Sequence, residues 1–169
     1  LGRTARGVKS MNLREGDKLV SMDVLTSELV DQLAKLDEEK DQKLLDADSQ
    51  ITDGPWVLVV SSYGLGKRVP VDQFRLQKRA GMGLKAIKFR LKGDVLVGLK
   101  VLGKGEEILL VTEKGVIVRT NADKISQQSR AATGVKLQRL DQGDHLSEVV
   151  LVPHEQFEDQ DQLSSEEEN

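Results

Sequence analysis

The chain has 169 residues, 38% hydrophobic and 31% charged, with 3% aromatic residues and a net charge of −3. That is enough for one ordinary domain with a single core, or for a piece of a larger one. The absence of cysteine excludes disulfides, thiolate nucleophiles and zinc–cysteine clusters, and no run approaches the roughly 18 to 20 apolar residues of a membrane-spanning helix.

The chain opens on Leu1-Gly2-Arg3-Thr4, with neither an initiator methionine nor a charged-then-apolar leader, and reads as a cut inside a longer polypeptide. Residues 1–25 carry Arg3, Gly7 and Lys9, then a Gly16-Asp17 pair followed by an alternating apolar run. Residues 26–53 change character, with nine Asp or Glu against three Lys and a local charge of −6. Leu29, Val30, Leu33, Leu36, Leu44 and Leu45 space an apolar stripe behind a cap at Thr26 or Ser27. This spacing predicts a helix over about 27–45, with disorder as the competing reading.

From residue 54 the pattern is that of strands: short β-branched runs separated by glycine-bearing turns. Four are expected near 57–61, 66–71, 84–90 and 95–101, and four more near 107–112, 116–120, 135–140 and 146–151. Gly64 and Gly115 fall in the first hairpin of each set, where a positive φ is commonly needed. The stretch QFRLQKRAGMG between the second and third strands reads as a long crossover loop. Residues 153–169 hold seven acidic residues and no Lys or Arg, the composition of a disordered tail. With −7 in the tail and −6 in residues 26–53, the remainder carries +10. A basic body with acidic appendages is the footprint of a polyanion binder.

The two strand sets are copies. VLVVSSYGLGKRVPVDQF (57–74) aligns without a gap on ILLVTEKGVIVRTNADKI (108–125), a shift of 51 residues that pairs Gly64 with Gly115 and Arg68 with Arg119. KRAGMGLKAIKF (78–89) falls on SRAATGVKLQRL (129–140) at the same shift, pairing Arg79 with Arg130, Gly83 with Gly134 and Lys85 with Lys136. Arg3, Gly7 and Lys9 open a third, partial copy, and each copy ends in Gly-Asp: Gly16-Asp17, Gly93-Asp94 and Gly143-Asp144. Gly7 and Gly83 stand 76 residues apart, so the acidic segment is an insertion into a regular repeat. A recurring four-stranded unit of this length points to a radial, propeller-like array, and two and a half copies are a fragment of one.

SSYGLGKRV (61–69) resembles the end of a phosphate-binding loop, but it lacks the G-x-x-x-x-G-K-[ST] spacing and a following helix, and Val118 stands where Lys67 does in the other copy. Catalysis has little to work with. His145 and His154, the only histidines, read as surface residues; Tyr63, the only tyrosine, has Lys114 as its repeat equivalent. Single aspartates at the Gly-Asp turns read as hairpin residues, not metal ligands. What recurs in register is positive charge: Arg68 and Arg119; Arg3, Arg79 and Arg130; Lys9, Lys85 and Lys136. With Lys67 and Lys78, these are the residues expected to meet a phosphate backbone, although some of the arginines can instead bond carbonyls between units.

GVKSMNLREGDKLVSMDV, YGLGKRVPVDQF with GLKAIKF, and ILLVTEKGVIVRT with GVKLQRL resemble the last repeats of the DNA gyrase A C-terminal domain, over residues 1–25 and 54–152. Topoisomerase IV is a weaker match. The resemblance implies an all-β fold, a β-pinwheel of four-stranded blades whose basic rim bends and wraps double-stranded DNA to support ATP-dependent negative supercoiling. It divides the chain into the end of a blade (1–25), an acidic insert (26–53), a blade (54–103), the last blade (104–152) and an acidic tail (153–169). It implies no catalytic residue and no cofactor in this segment. ATP and Mg would serve elsewhere in a type IIA topoisomerase assembled from the rest of gyrase A and from gyrase B as A2B2, away from any membrane. The family's diagnostic box has its nearest counterpart in QKRAGMG, with Gln77, Lys78, Arg79, Gly81 and Gly83 matching and Ala80 and Met82 departing. The long acidic insert suggests a plastid or plant-type parent, with a chloroplast and mitochondrial address, against the bacterial nucleoid otherwise implied. A propeller that binds a protein partner is the alternative from a different class.

Overall fold

The computed structural model describes residues 3–27, 31, 54–75 and 77–152. Apart from Ser27 and Asp31, the helix expected over 27–45 lies outside the described residues, as does the tail beyond Val152. Seven strands are present among the described residues: β1 Trp56–Ser61, β2 Leu65–Pro70, β3 Leu96–Leu102, β4 Glu107–Thr112, β5 Ile117–Asn121, β6 Val135–Lys136 and β7 Leu146–Val152. They form a four-stranded sheet ordered β3-β1-β2-β6 and a three-stranded sheet ordered β5-β4-β7, with every pairing antiparallel.

Each sheet is built on a tight hairpin, β1–β2 or β4–β5, turned at Gly64 (φ 80°) and Gly115 (φ 84°) as expected. The copying reaches the irregularities: the ladder to the outer strand slips at Val60/Ser61 in one sheet and at Val111/Thr112 in the other, again 51 residues apart. β1 is apolar from Trp56 to Val60 because both its faces are covered. Leu58 and Val60 face the second sheet in a core with Leu102, Ile108, Leu110, Ile125, Leu146 and Val149. Val59 and Val69 face the other way, under Ile87. β4 alternates instead, with Ile108 and Leu110 fully buried and Leu109 and Val111 half-buried, since its outer face carries no such cover.

The third strand of each unit departs from expectation. Residues 84–90 make no ladder; Ile87 packs onto the first sheet while Lys85, Lys88, Phe89 and Arg90 stay exposed. The strand expected over 135–140 is shortened to Val135–Lys136, and it does not join its own unit: it pairs with β2 of the preceding one, Gly66 opposite Val135 and Leu65 opposite Lys136. The sequence repeat and the structural blade are thus offset. Two glycines make the exchange possible. A Cβ at Gly66 would lie 2.4 Å from Leu137 Cδ1 and 2.9 Å from the Val59 carbonyl, and one at Gly134 (φ 97°) would lie 2.7 Å from the Gly66 carbonyl. No side chain fits between backbones that close.

The Gly-Asp pairs fix the other end of each blade. Asp94, buried, accepts from Ser61 Oγ (2.9 Å), Ser62 Oγ (3.0 Å) and the Tyr63 N–H (3.0 Å). Asp144 accepts from the Lys114 N–H (3.2 Å) and the His145 N–H (2.9 Å). Burial of the Asp144 carboxylate works against its charge, but these bonds and one from Thr112 outweigh it and hold the group below its ordinary value. Both aspartates tie a hairpin to the loop leading into the outer strand. No helix of the described residues is long and apolar enough to cross a membrane.

Candidate nucleic-acid interface

The junction between units is where the recurring basic residues meet. In the second unit, the turn 129–132 carries Arg130, and the Lys88 N–H donates to the Ala132 carbonyl at 3.1 Å. In the first unit, the turn 78–81 carries Arg79, and the Asn12 N–H donates to the Gly81 carbonyl at 2.9 Å. Asn12 and Lys88 occupy equivalent places in their copies, as do Gly81 and Ala132, so one hydrogen bond is made twice by the same positions. Each junction lays the lysine-bearing segment of one repeat (Lys9 or Lys85) along the arginine-bearing turn of the next (Arg79 or Arg130). At the second junction Arg130 Nη1 also donates to the Lys85 carbonyl, at 3.3 Å.

Seven of the ten expected residues, Arg3, Lys9, Lys78, Arg79, Lys85, Arg119 and Lys136, are exposed. Arg130 is half-buried, its guanidinium 5.8 Å from the centre of the Phe74 ring. Arg119 is exposed and ion-paired with Glu107 across the β4–β5 ladder, its Nε donating at 2.7 Å. A phosphate at Arg119 must compete with that carboxylate.

Lys67 and Arg68 are corrected by the structure. Lys67 is fully buried, and its ammonium donates to the carbonyls of Ser129 (2.6 Å), Arg130 (2.8 Å) and Ala132 (2.8 Å). All three N–H donors are engaged, so nothing is left for a phosphate. Burial first, and the Arg130 charge second, bring its pKa down from 10.5 to about 8. Arg68, whose side chain is 11% exposed, lies over the Trp56 ring at 4.5 Å. It donates to the Ile125 carbonyl (2.8 Å), the Asp123 carbonyl (3.0 Å) and the Asp123 carboxylate (3.0 Å). Both side chains tie one blade to the next. Asp94 is the hairpin residue that its recurring Gly-Asp pair indicated; sequence reasoning did not single out Asp123 or Trp56, which also hold the frame. Among the described residues no group of three or more His, Asp or Glu is placed to hold a metal ion, and the Tyr63 and His145 rings meet at 5.3 Å at the hairpin end of the junction.

The family model described as DNA gyrase C-terminal domain, beta-propeller, matches residues 1–26, 55–102 and 106–153. The chain belongs to the DNA gyrase A C-terminal domain family. The DNA gyrase A protein of Synechocystis sp. is 47% identical over 175 residues, covering all of this chain and 20% of that protein. The one from Staphylococcus epidermidis is 37% identical over 155 residues, covering 92% of this chain and 15% of its own length. The chain thus spans a fifth or less of these gyrase A relatives. Among solved structures, a DNA gyrase A C-terminal domain superposes with a TM-score of 0.54 at 32% identity, over 60% of this chain and 34% of that one. The C-terminal domain of a DNA topoisomerase IV superposes with the same score at 22% identity, over 64% and 32%, a likeness of fold. The antiparallel blades described above are those of the gyrase β-pinwheel.

Proposed function

We propose that this chain is part of a duplex-binding and duplex-bending surface in a gyrase A protein, with the phosphate backbone crossing the blade junctions. The observation that carries the reading is the repeated junction, which sets a lysine of one repeat beside an arginine turn of the next at two successive places. Such a row neutralises phosphates and releases counterions without reading bases. Bending a duplex costs on the order of several kcal/mol, offset when the bend brings more of the basic row into contact. The contacts assigned are Arg3, Lys9, Lys78, Arg79, Lys85, Arg130 and Lys136, with Arg119 weaker; Lys67 and Arg68 are removed from the set. The wrapping would serve negative supercoiling by a complex with gyrase B, in a bacterial nucleoid or a plastid; the ATP and Mg of that complex would bind outside this chain.

Burial of Lys67 and Arg68 between units also suits a scaffold for protein partners. The exposed lysines in register at both junctions favour the duplex. Binding to duplexes of about 20 and about 150 base pairs, below and near the persistence length, separates the two. A bending surface prefers the longer duplex and loses affinity steeply with salt; equal affinity for both lengths with a flat salt response would sink the proposal.

A further inference from the structure

We propose that Lys67, which cannot itself reach a duplex, is a positioning residue of the duplex interface: its buried ammonium holds the 129–132 turn and so keeps Arg130 beside Lys85. The inference rests on the duplex-binding reading proposed above. The backbone on either side of the turn is secured independently. Arg68 exchanges backbone hydrogen bonds with Ser126 (3.1 Å) and Gln128 (2.9 Å), and Gln128 Oε1 accepts from the Gly134 N–H at 3.0 Å. Between these anchors the carbonyls of Ser129, Arg130 and Ala132 converge on one Nζ. Ala132 is the same residue whose carbonyl takes the Lys88 N–H, so the ammonium and the junction bond share an acceptor. The Arg130 side chain reaches the Lys85 carbonyl from this turn. Nothing equivalent is available on the second sheet, where Val118 occupies the place of Lys67. A pKa of about 8 leaves Lys67 charged at neutral pH, with all three donors present.

The test compares Lys67→Met, Lys67→Gln, Arg130→Ala and the Lys67→Met/Arg130→Ala pair in the full chain, measuring duplex affinity across a salt series. Circular dichroism checks the fold, and trypsin cleavage after Arg130, identified by mass spectrometry, reports the turn. Lys67→Met changes no exposed charge, yet it is expected to weaken binding several-fold and to flatten the salt slope by about one, as loss of one phosphate contact does. It should also speed cleavage after Arg130. Added to Arg130→Ala it should do nothing further to binding, and Lys67→Gln, which keeps two N–H donors, should fall between. If Lys67→Met does not fold, Lys67→Gln carries the same readouts. Unaltered affinity and slope in a folded Lys67 variant, with Arg130→Ala weakened, overturns the positioning role and leaves the duplex reading standing. Absence of duplex binding by the unaltered chain overturns both.

Discussion

At the residue scale, the molecule separates basic side chains that look alike in sequence. Lys67 and Lys85 are both lysines beside a glycine-bearing turn, but one is a buried three-donor tie and the other an exposed charge. The signal for Lys67 was Val118, its apolar repeat partner, and the two-residue period of β2, which puts Lys67 on the face of Val69, itself fully buried. Its lowered pKa has a signed consequence. The folded state releases this proton near pH 8 and the unfolded chain near 10.5, so between those values the unfolded state binds more protons and stability rises with pH. Denaturant midpoints from about pH 7.5 to 10.5 should show this rise in the unaltered chain and lack it in Lys67→Met. For Asp144 the sign is the same, in the acid range. Its folded pKa is depressed, so its contribution is present above the ordinary carboxylate value and lost as the solution is acidified through the folded one; Asp144→Asn should remove that part of the acid dependence. Asp94→Ala strands two serine hydroxyls and the Tyr63 N–H in a buried site and should cost about 2–3 kcal/mol in urea unfolding.

At the element scale, the strands of both hairpins and both outer strands were legible in alternation and turn glycines; the hairpin partners are close in sequence, and each outer strand pairs within its own unit. The third strand was not. Its partner, β2, lies some 70 residues before it in the preceding unit, and periodicity marks a strand without naming the edge it joins. A trace existed in Gly66, a glycine inside a strand pattern, which often marks a close backbone approach. Gly134→Ala would impose a Cβ on a positive φ and on the Gly66 backbone, and an expected loss of about 2–3 kcal/mol is measurable as a lowered denaturation midpoint. On β5 the equivalent of Gly66 is Ile117, 61% exposed, next to Val118. An isoleucine side chain stands where an exchanged strand would bring its leucine, so a peptide of residues 129–140 should not bind that edge in the register used on β2. An Ile117→Gly/Val118→Lys chain is the variant in which fluorescence titration should first detect it.

At the scale of the whole molecule, the period of 51 residues decided the architecture before any local propensity, and the family match follows the same segments. What the period could not supply was the composite nature of the candidate interface. Lys85 and Arg130 belong to different repeats and come together only because the third strand crosses to its neighbour. The same crossing makes this junction both a structural seam and a place where charge gathers, so perturbing one perturbs the other. The most direct test is the slope of log affinity against log salt for a long duplex, compared between the unaltered chain and Lys85→Ala/Arg130→Ala. A phosphate row across the junctions predicts a steep slope that shallows by about two in the double variant; an unchanged slope would show that the duplex does not cross this junction.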